Sequence, residues 1–253
     1  AIISTQIFAS IFDIDLSSSS YFKSNINYFA IIIGGALFGA GMMIADGCSS
    51  RSIVKFSQGD ANALVTLLFI AIFAFASTKG ILFGVVNGFI NNQFMIDISS
   101  NLSNFTLNIY FVLAILVLLL AYFVKKVKRV FSLYDGVIIG FLVGLSWFIS
   151  GYIGAESIEK EIQVQALSYV YPSAKTLEFF TFFEITELSI GVCIVLGAIF
   201  GAYFSTFFNK KYSFGCTSKM NFNKLKYNMI GGSMIGIGGI MAIGCTVGQG
   251  LSG

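Results

Sequence analysis

Two short stretches of the chain hold the residue types best suited to chemistry. Gly47-Cys48-Ser49 and Gly244-Cys245-Thr246 each place a thiol between a glycine and a hydroxyl. A thiol is a weak hydrogen-bond donor and, as thiolate, a sulfur nucleophile. Turn backbone around it offers free N–H groups, which favour anions. Arg51 adds a guanidinium beside the first turn, and Gln249 completes the candidate set beside the second. These groups suit a small, anionic, sulfur-bearing ligand. The chain has no histidine, so a histidine general base, haem ligand or zinc site cannot be built from it. Its cysteines, at 48, 193, 216 and 245, show no CxxC spacing, which leaves a zinc ribbon or thioredoxin-type motif without support. No metal, cofactor or nucleic-acid partner is expected.

Both turns end the same element. Residues 33–49 read IGGALFGAGMMIADGCS and residues 230–246 read IGGSMIGIGGIMAIGCT. At an offset of 197 they share Ile33/Ile230, Gly34/Gly231, Gly35/Gly232, Gly39/Gly236, Gly41/Gly238, Ala45/Ala242, Gly47/Gly244 and Cys48/Cys245. Glycines at this spacing strip one helix face of side chains, so another backbone can approach closely. Glycines alone would mean packing, and a single buried cysteine would be a small hydrophobe. The duplication singles out Cys48 and Cys245. Cys193, inside GVCIVLG, reads as helix packing, Cys216 as incidental, and Trp147 as a packing or interfacial aromatic. Arg51 reads equally as a topology signal. Asp46 is out of place beside an anion site unless it points away or pairs with Arg51.

The elements that position these turns are membrane helices. The 253 residues are 56% hydrophobic and only 11% charged, with a mean hydropathy of +0.85, whereas a soluble domain carries roughly a quarter charged residues. The fold class is therefore an all-α integral membrane protein, a polytopic helix bundle. Apolar stretches fall at 28–45, 61–77, 81–90, 107–124, 136–153 and 188–208, with residues 1–12 as the end of another. Polar connections fall at 13–27 and 91–104. Residues 156–184, which hold the lone Pro172, read as an extramembrane excursion. The chain starts without Met and stops just past the second turn, which reads as a single transmembrane domain truncated at both ends.

Charge sets the orientation. Lys125, Lys126, Lys128 and Arg129 form one basic cluster, and Lys210, Lys211, Lys219, Lys224 and Lys226 another. The positive-inside rule puts both in the cytoplasm. Residues 152–187 carry six Glu against Lys160 and Lys175, which suits an outside segment. Counting crossings backward, the first glycine-rich helix runs inward and its copy outward. The repeats are inverted, with halves near 1–124 and 134–253, and inverted repeats place a substrate site where they meet.

At these residues the chain resembles the YeeE/YedE sulfur-transport family. The matching pieces are GGALFGAGMMIADGCSSRSIVKFSQGDANALV (34–65), GVIIGFLVGLSWFISGYIG (136–154), ALSYVYPSAKTL (166–177), LGAIFGAYFS (196–205) and IGGSMIGIGGIMAIGCTVGQGLSG (230–253). The resemblance implies a multi-pass bacterial inner-membrane transporter for thiosulfate or a related sulfur anion, not an enzyme. It implies short re-entrant loops whose cysteines pass substrate through a central constriction by hydrogen bonding to sulfur. Cys48 and Cys245 match two of those cysteines, with Gly47, Gly244, Ser49, Thr246, Arg51 and Gln249 around them, and a further family cysteine lies upstream of residue 1. A cytoplasmic sulfur-carrier protein is the expected partner, besides the substrate and the lipid bilayer. Asp46 departs from the small residue the family pattern leads one to expect. The alternative is a membrane sulfurtransferase or redox protein that forms a cysteine persulfide, which needs a lowered thiol pKa and an acceptor. A purely structural subunit and a metal exporter fit less well, since two cysteines without histidine or a Met cluster make a poor metal relay.

Overall fold

A computed structural model describes residues 4–5, 27–90, 118, 131–153, 167–182, 188–208 and 222–252. Within them the chain is helical: α1 (Tyr28–Ile44), α2 (Ser49–Ser57), α3 (Ala61–Thr78), α4 (Phe83–Ile90), α5 (Phe131–Phe148), α6 (Val170–Thr181), α7 (Ile190–Phe208) and α8 (Phe222–Met241), with π turns at Ile149–Ile153 and Gly248–Ser252. Among the described residues four helices are long and apolar enough to cross a membrane, at Tyr28–Ser57, Ala61–Thr78, Tyr134–Gly151 and Ile190–Phe208. Their outward faces stay apolar. On α7, Phe200, Tyr203, Phe204, Phe207 and Phe208 are all exposed, a surface that a bilayer covers and water would not. Apart from residues 118 and 4–5, the expected helix at 107–124 and the segment 1–12 lie outside the described residues, as does Cys216.

The chain forms two compact units, Ala1–Ile26 with Ile96–Leu167 and Leu251–Gly253, and Asn27–Met95 with Ser168–Gly250. In the first, α5 buries Val143 and Trp147 before the π turn, where Ser150 is fully buried. The second holds both cysteine turns. Its centre is the pair α1–α8, which cross with almost no side chain between them. A Cβ at Gly34 would stand 2.8 Å from Ala242 N, and one at Gly231 would stand 2.7 Å from Ala45 N. A Cβ at Gly41 would meet Gly231 O at 2.8 Å, and one at Gly238 would meet Gly34 O at 2.7 Å. The start of each helix therefore lies against the end of the other, so the pair is antiparallel, as an inverted repeat requires. Glycine costs a helix roughly 0.5–1 kcal/mol per position. That cost is offset by close backbone packing, which drives helix association where the surrounding lipid is as apolar as the side chains.

The second glycine of each α8 pair serves another neighbour. Cβ atoms at Gly232 and Gly236 would meet Thr66 O and Ile70 O of α3 at 2.8 and 2.7 Å, and Gly239 abuts Val170 of α6. Both α8 and α3 rise in the same direction along this contact. In α1, by contrast, no described atom lies within 4 Å of a Cβ built at Gly35 or Gly39. Asn27 starts α1 by accepting from Phe29 N and Ala30 N, and its amide donates to Phe89 O and Ile90 O. One side chain thus satisfies orphan groups at the first turn of α1 and the last turn of α4.

Two short helices complete the packing. Most of residues 51–60 belong to α2, which packs on α3 and α7. Ser57 pins it there, its hydroxyl directed at Ile199 O of α7 at 3.1 Å. Within the expected excursion at 156–184, α6 is a packed helix, set against α3, α7 and α8 with Val170 and Ala174 buried. Pro172 sits in the first turn of α6, where a missing N–H breaks no helical bond. Each short helix therefore braces both α3 and α7.

Candidate functional site

Both cysteine turns are built by the same helix ending. After α1, Ala45 N bonds Gly41 O at 2.9 Å and Gly47 N reaches back to Met42 O at 3.1 Å. After α8, Ala242 N bonds Gly238 O at 2.8 Å and Gly244 N reaches Gly239 O at 2.9 Å. The longer bond of each pair marks a Schellman ending, which requires a left-handed residue just past the helix. Those residues are Asp46 (φ 57°) and Ile243 (φ 58°). Asp adopts this region with little penalty, whereas a β-branched residue there is a real outlier. Gly47 (φ 153°) and Gly244 (φ 159°) follow. A Cβ on Gly47 would lie 2.9 Å from Arg51 Cδ, and one on Gly244 would lie 3.2 Å from Gln249 Nε2. Arg51 and Gln249 thus fold over the glycine of their own turn.

Each cysteine then opens a new helical segment. Cys48 caps α2, its carbonyl accepting from Ser52 N at 3.0 Å, and its half-buried Sγ lies 3.0 Å from Ser50 Oγ. Cys245 O accepts from Gln249 N at 2.8 Å, and its Sγ accepts from Gly248 N at 3.3 Å. The hydroxyl of Ser168, just before α6, donates to the same sulfur at 3.7 Å. Cys245 is buried in an apolar cluster with Phe38, Val170, Ala174 and Ile235, with Tyr169 against it. Among the described residues, the two thiols share no partner.

The other expected residues divide between the turns. Ser49 is 1% exposed, and its hydroxyl bonds to no described group. A buried donor left so costs about 1–3 kcal/mol. Thr246 is exposed and touches Met42 Sδ at 3.6 Å, so the second turn folds back beside the end of α1. Gln249 donates to Ala242 O and Ile243 O, closing its turn. Arg51 is exposed and makes no hydrogen bond or ion pair among the described residues. Asp46 pairs with Lys55 at 2.9 Å, not with Arg51, because one helical stretch brings Lys55 back to the turn. Cys193 lies in the first turn of α7 with its side chain exposed, so it is not packed in mid-helix.

The sequence reading missed Ser168, Ile243 and an ion network around the buried Glu178. Glu178 on α6 takes Lys79 Nζ at 2.6 Å on one oxygen and Lys175 Nζ at 3.0 Å on the other. Burial pushes the Glu178 carboxyl up, but hydrogen bonds from Lys79 and Lys175 outweigh it and hold the group below its ordinary range. Lys79 is raised, chiefly by its hydrogen bond to Glu178. Ser168 carried a readable signal in the ALSYVYPSAKTL piece; the left-handed Ile243 carried none.

Antiparallel glycine helices, short helices packed among long ones and a duplicated cysteine turn define a polytopic membrane protein with inverted repeats. Over residues 1–253 the chain matches the family described as Sulphur transport. It belongs to that family. It is also 21% identical over 247 residues to the thiosulfate transporter TsuA of Escherichia coli (strain K12), an alignment covering 87% of this chain and 66% of that protein. The chain thus spans slightly under two thirds of that relative's length.

Proposed function

We propose that the protein carries thiosulfate or a closely related sulfur anion inward across a bacterial inner membrane, handing it from Cys245 to Cys48. The observation that carries this reading is the duplicated turn: one Schellman ending, one glycine and one cysteine at the start of a new helical segment, on two antiparallel helices. From Gly231 to Ala242 the helix rises roughly 16 Å, and past its end the second turn folds back along α1 until Thr246 reaches Met42. The basic segment 209–226 joins α7 to the start of α8. That end is then cytoplasmic, with the Cys48 turn leaving α1 there and the Cys245 turn leaving α8 at the outer end. The domain reading that goes with it is one transmembrane domain with halves near 1–124 and 134–253, one turn in each.

Each site offers what a sulfur anion needs without covalent chemistry. At Cys48 the S–H, the Ser50 hydroxyl, the unmade Ser49 hydroxyl and the start of α2 are donors. At Cys245 the donors are the S–H and, once turned from their present sulfur acceptors, the Ser168 and Thr246 hydroxyls. Release at the inner end would feed a soluble sulfur-carrier protein. Thiosulfate uptake by proteoliposomes tests the reading: Cys48→Ala and Cys245→Ala each lower it, with no persulfide on either cysteine by mass spectrometry.

A further inference from the structure

Beside α6 lies a cavity of about 280 Å³, lined by residues of α3, α4, α6 and α8 and by Lys79 just past α3. It stands at the end of α8 opposite the basic segment. Its polar wall is Lys79, Lys175 and Glu178, with Thr78, Asn87 and Tyr171 around them. Each oxygen of Glu178 is taken by one ammonium, Oε1 by Lys79 and Oε2 by Lys175. An ammonium has three donors, so each lysine keeps hydrogens beyond the one it gives Glu178. Two cations against one carboxylate leave the wall at net +1. Glu178 fixes where the ammoniums stand, and the Tyr171 ring, 5.9 Å from Lys175 Nζ, supports one of them. Ala174 and Ile240 line the cavity and also pack in the apolar cluster that holds Cys245. A water takes about 30 Å³ of liquid volume, so the space holds a small tetrahedral anion with part of its hydration shell.

We propose that this cavity is an oxyanion-binding vestibule that captures small dianions at the outer end and delivers them to the Cys245 turn. The inference rests on the transport reading for its direction, but not for the binding itself. None of the lining residues is a cysteine, so the cavity reads charge and oxygen. Sulfate therefore binds as well as thiosulfate does, and discrimination between them falls to the thiols.

Radiolabelled sulfate binding to the purified protein by equilibrium dialysis tests this. Lys79→Gln and Lys175→Gln each bring the wall to net zero and weaken binding about tenfold, the scale of one charge-assisted hydrogen bond. Glu178→Gln raises the wall to +2 and tightens binding, although it disrupts the same network. Lys175→Arg keeps the charge and retains binding. Opposite effects of the lysine and glutamate variants support the vestibule. Equal weakening by all three would show a purely structural network and overturn it, as would failure of wild type to bind sulfate. If wild type binds sulfate in this pattern yet moves no thiosulfate, the transport reading fails and the vestibule stands.

Discussion

Cys245 is 3% exposed, its sulfur accepts hydrogen bonds from Gly248 N and Ser168, and it sits in an apolar cluster. At Cys48 the sulfur is half-buried, lies against Ser50, and has Arg51 and the Asp46–Lys55 pair nearby. The backbone beneath is the same, down to left-handed residues at φ 57° and 58°. A shared scaffold therefore carries two different environments, one enclosed and one open. The supporting helices differ in the same sense: α8 meets α1, α3 and α6 through its glycines, while Gly35 and Gly39 of α1 meet no described atom. On the proposed transport reading this difference is useful, because a thiol in a closed site and one in an open site can hold the same anion with different strength.

The comparison can be broken at the helices first. Gly238→Leu drives a branched side chain into Phe38 N and Gly34 O; overpacking of this kind costs about 1–3 kcal/mol even where neighbours can shift, and here the neighbours are backbone. Purified yield and melting temperature should collapse. Gly35→Ala, at the open position, should instead leave melting unchanged or raise it slightly by helix propensity. Equal effects of the two would remove the asymmetry between α1 and α8. A smaller effect is expected at the turns themselves. Replacing Ile243 by Gly relieves a left-handed β-branched residue and should stabilise the protein by about 1–2 kcal/mol, read as a higher melting temperature. A drop would mean that contacts of the Ile243 side chain outweigh its backbone strain. Accessibility gives the third test. In single-cysteine variants, a water-soluble maleimide should label Cys48 at least about tenfold faster than Cys245, since labelling of a buried thiol waits on local opening. Equal rates would show that the enclosed and open sites are not distinct.

Much of this was legible in the chain. Repeated glycines at fixed spacing mark the α1–α8 contact, the cysteines mark the turns, and lysine placement gives the antiparallel orientation. Each signal is local or is a direct copy. What stayed hidden depends on distance or on short amphipathic pieces. The Lys79–Glu178 pair joins residues 99 apart in sequence, and nothing in either neighbourhood names the other. Residues 49–57 carry too little apolar character to read as a packed helix, and Pro172 with Glu178 made the α6 region look like a solvated loop. The Asp46 partner stayed open between pointing away and pairing with Arg51, because the bend at Gly47 and the run of α2 decide that Lys55 faces the carboxylate. Ile243 carries no sequence signal for a left-handed turn; its conformation becomes evident only from the matching hydrogen bonds at Gly47 and Gly244.

The central claim is that both turns handle the same sulfur anion in sequence. Radiolabelled thiosulfate uptake by proteoliposomes of wild type, Cys48→Ala and Cys245→Ala tests it directly. Robust wild-type uptake that falls at least about tenfold in each variant, as loss of about 1.4 kcal/mol at one obligatory step would give, is the predicted result. Wild-type rates retained in both variants would contradict it.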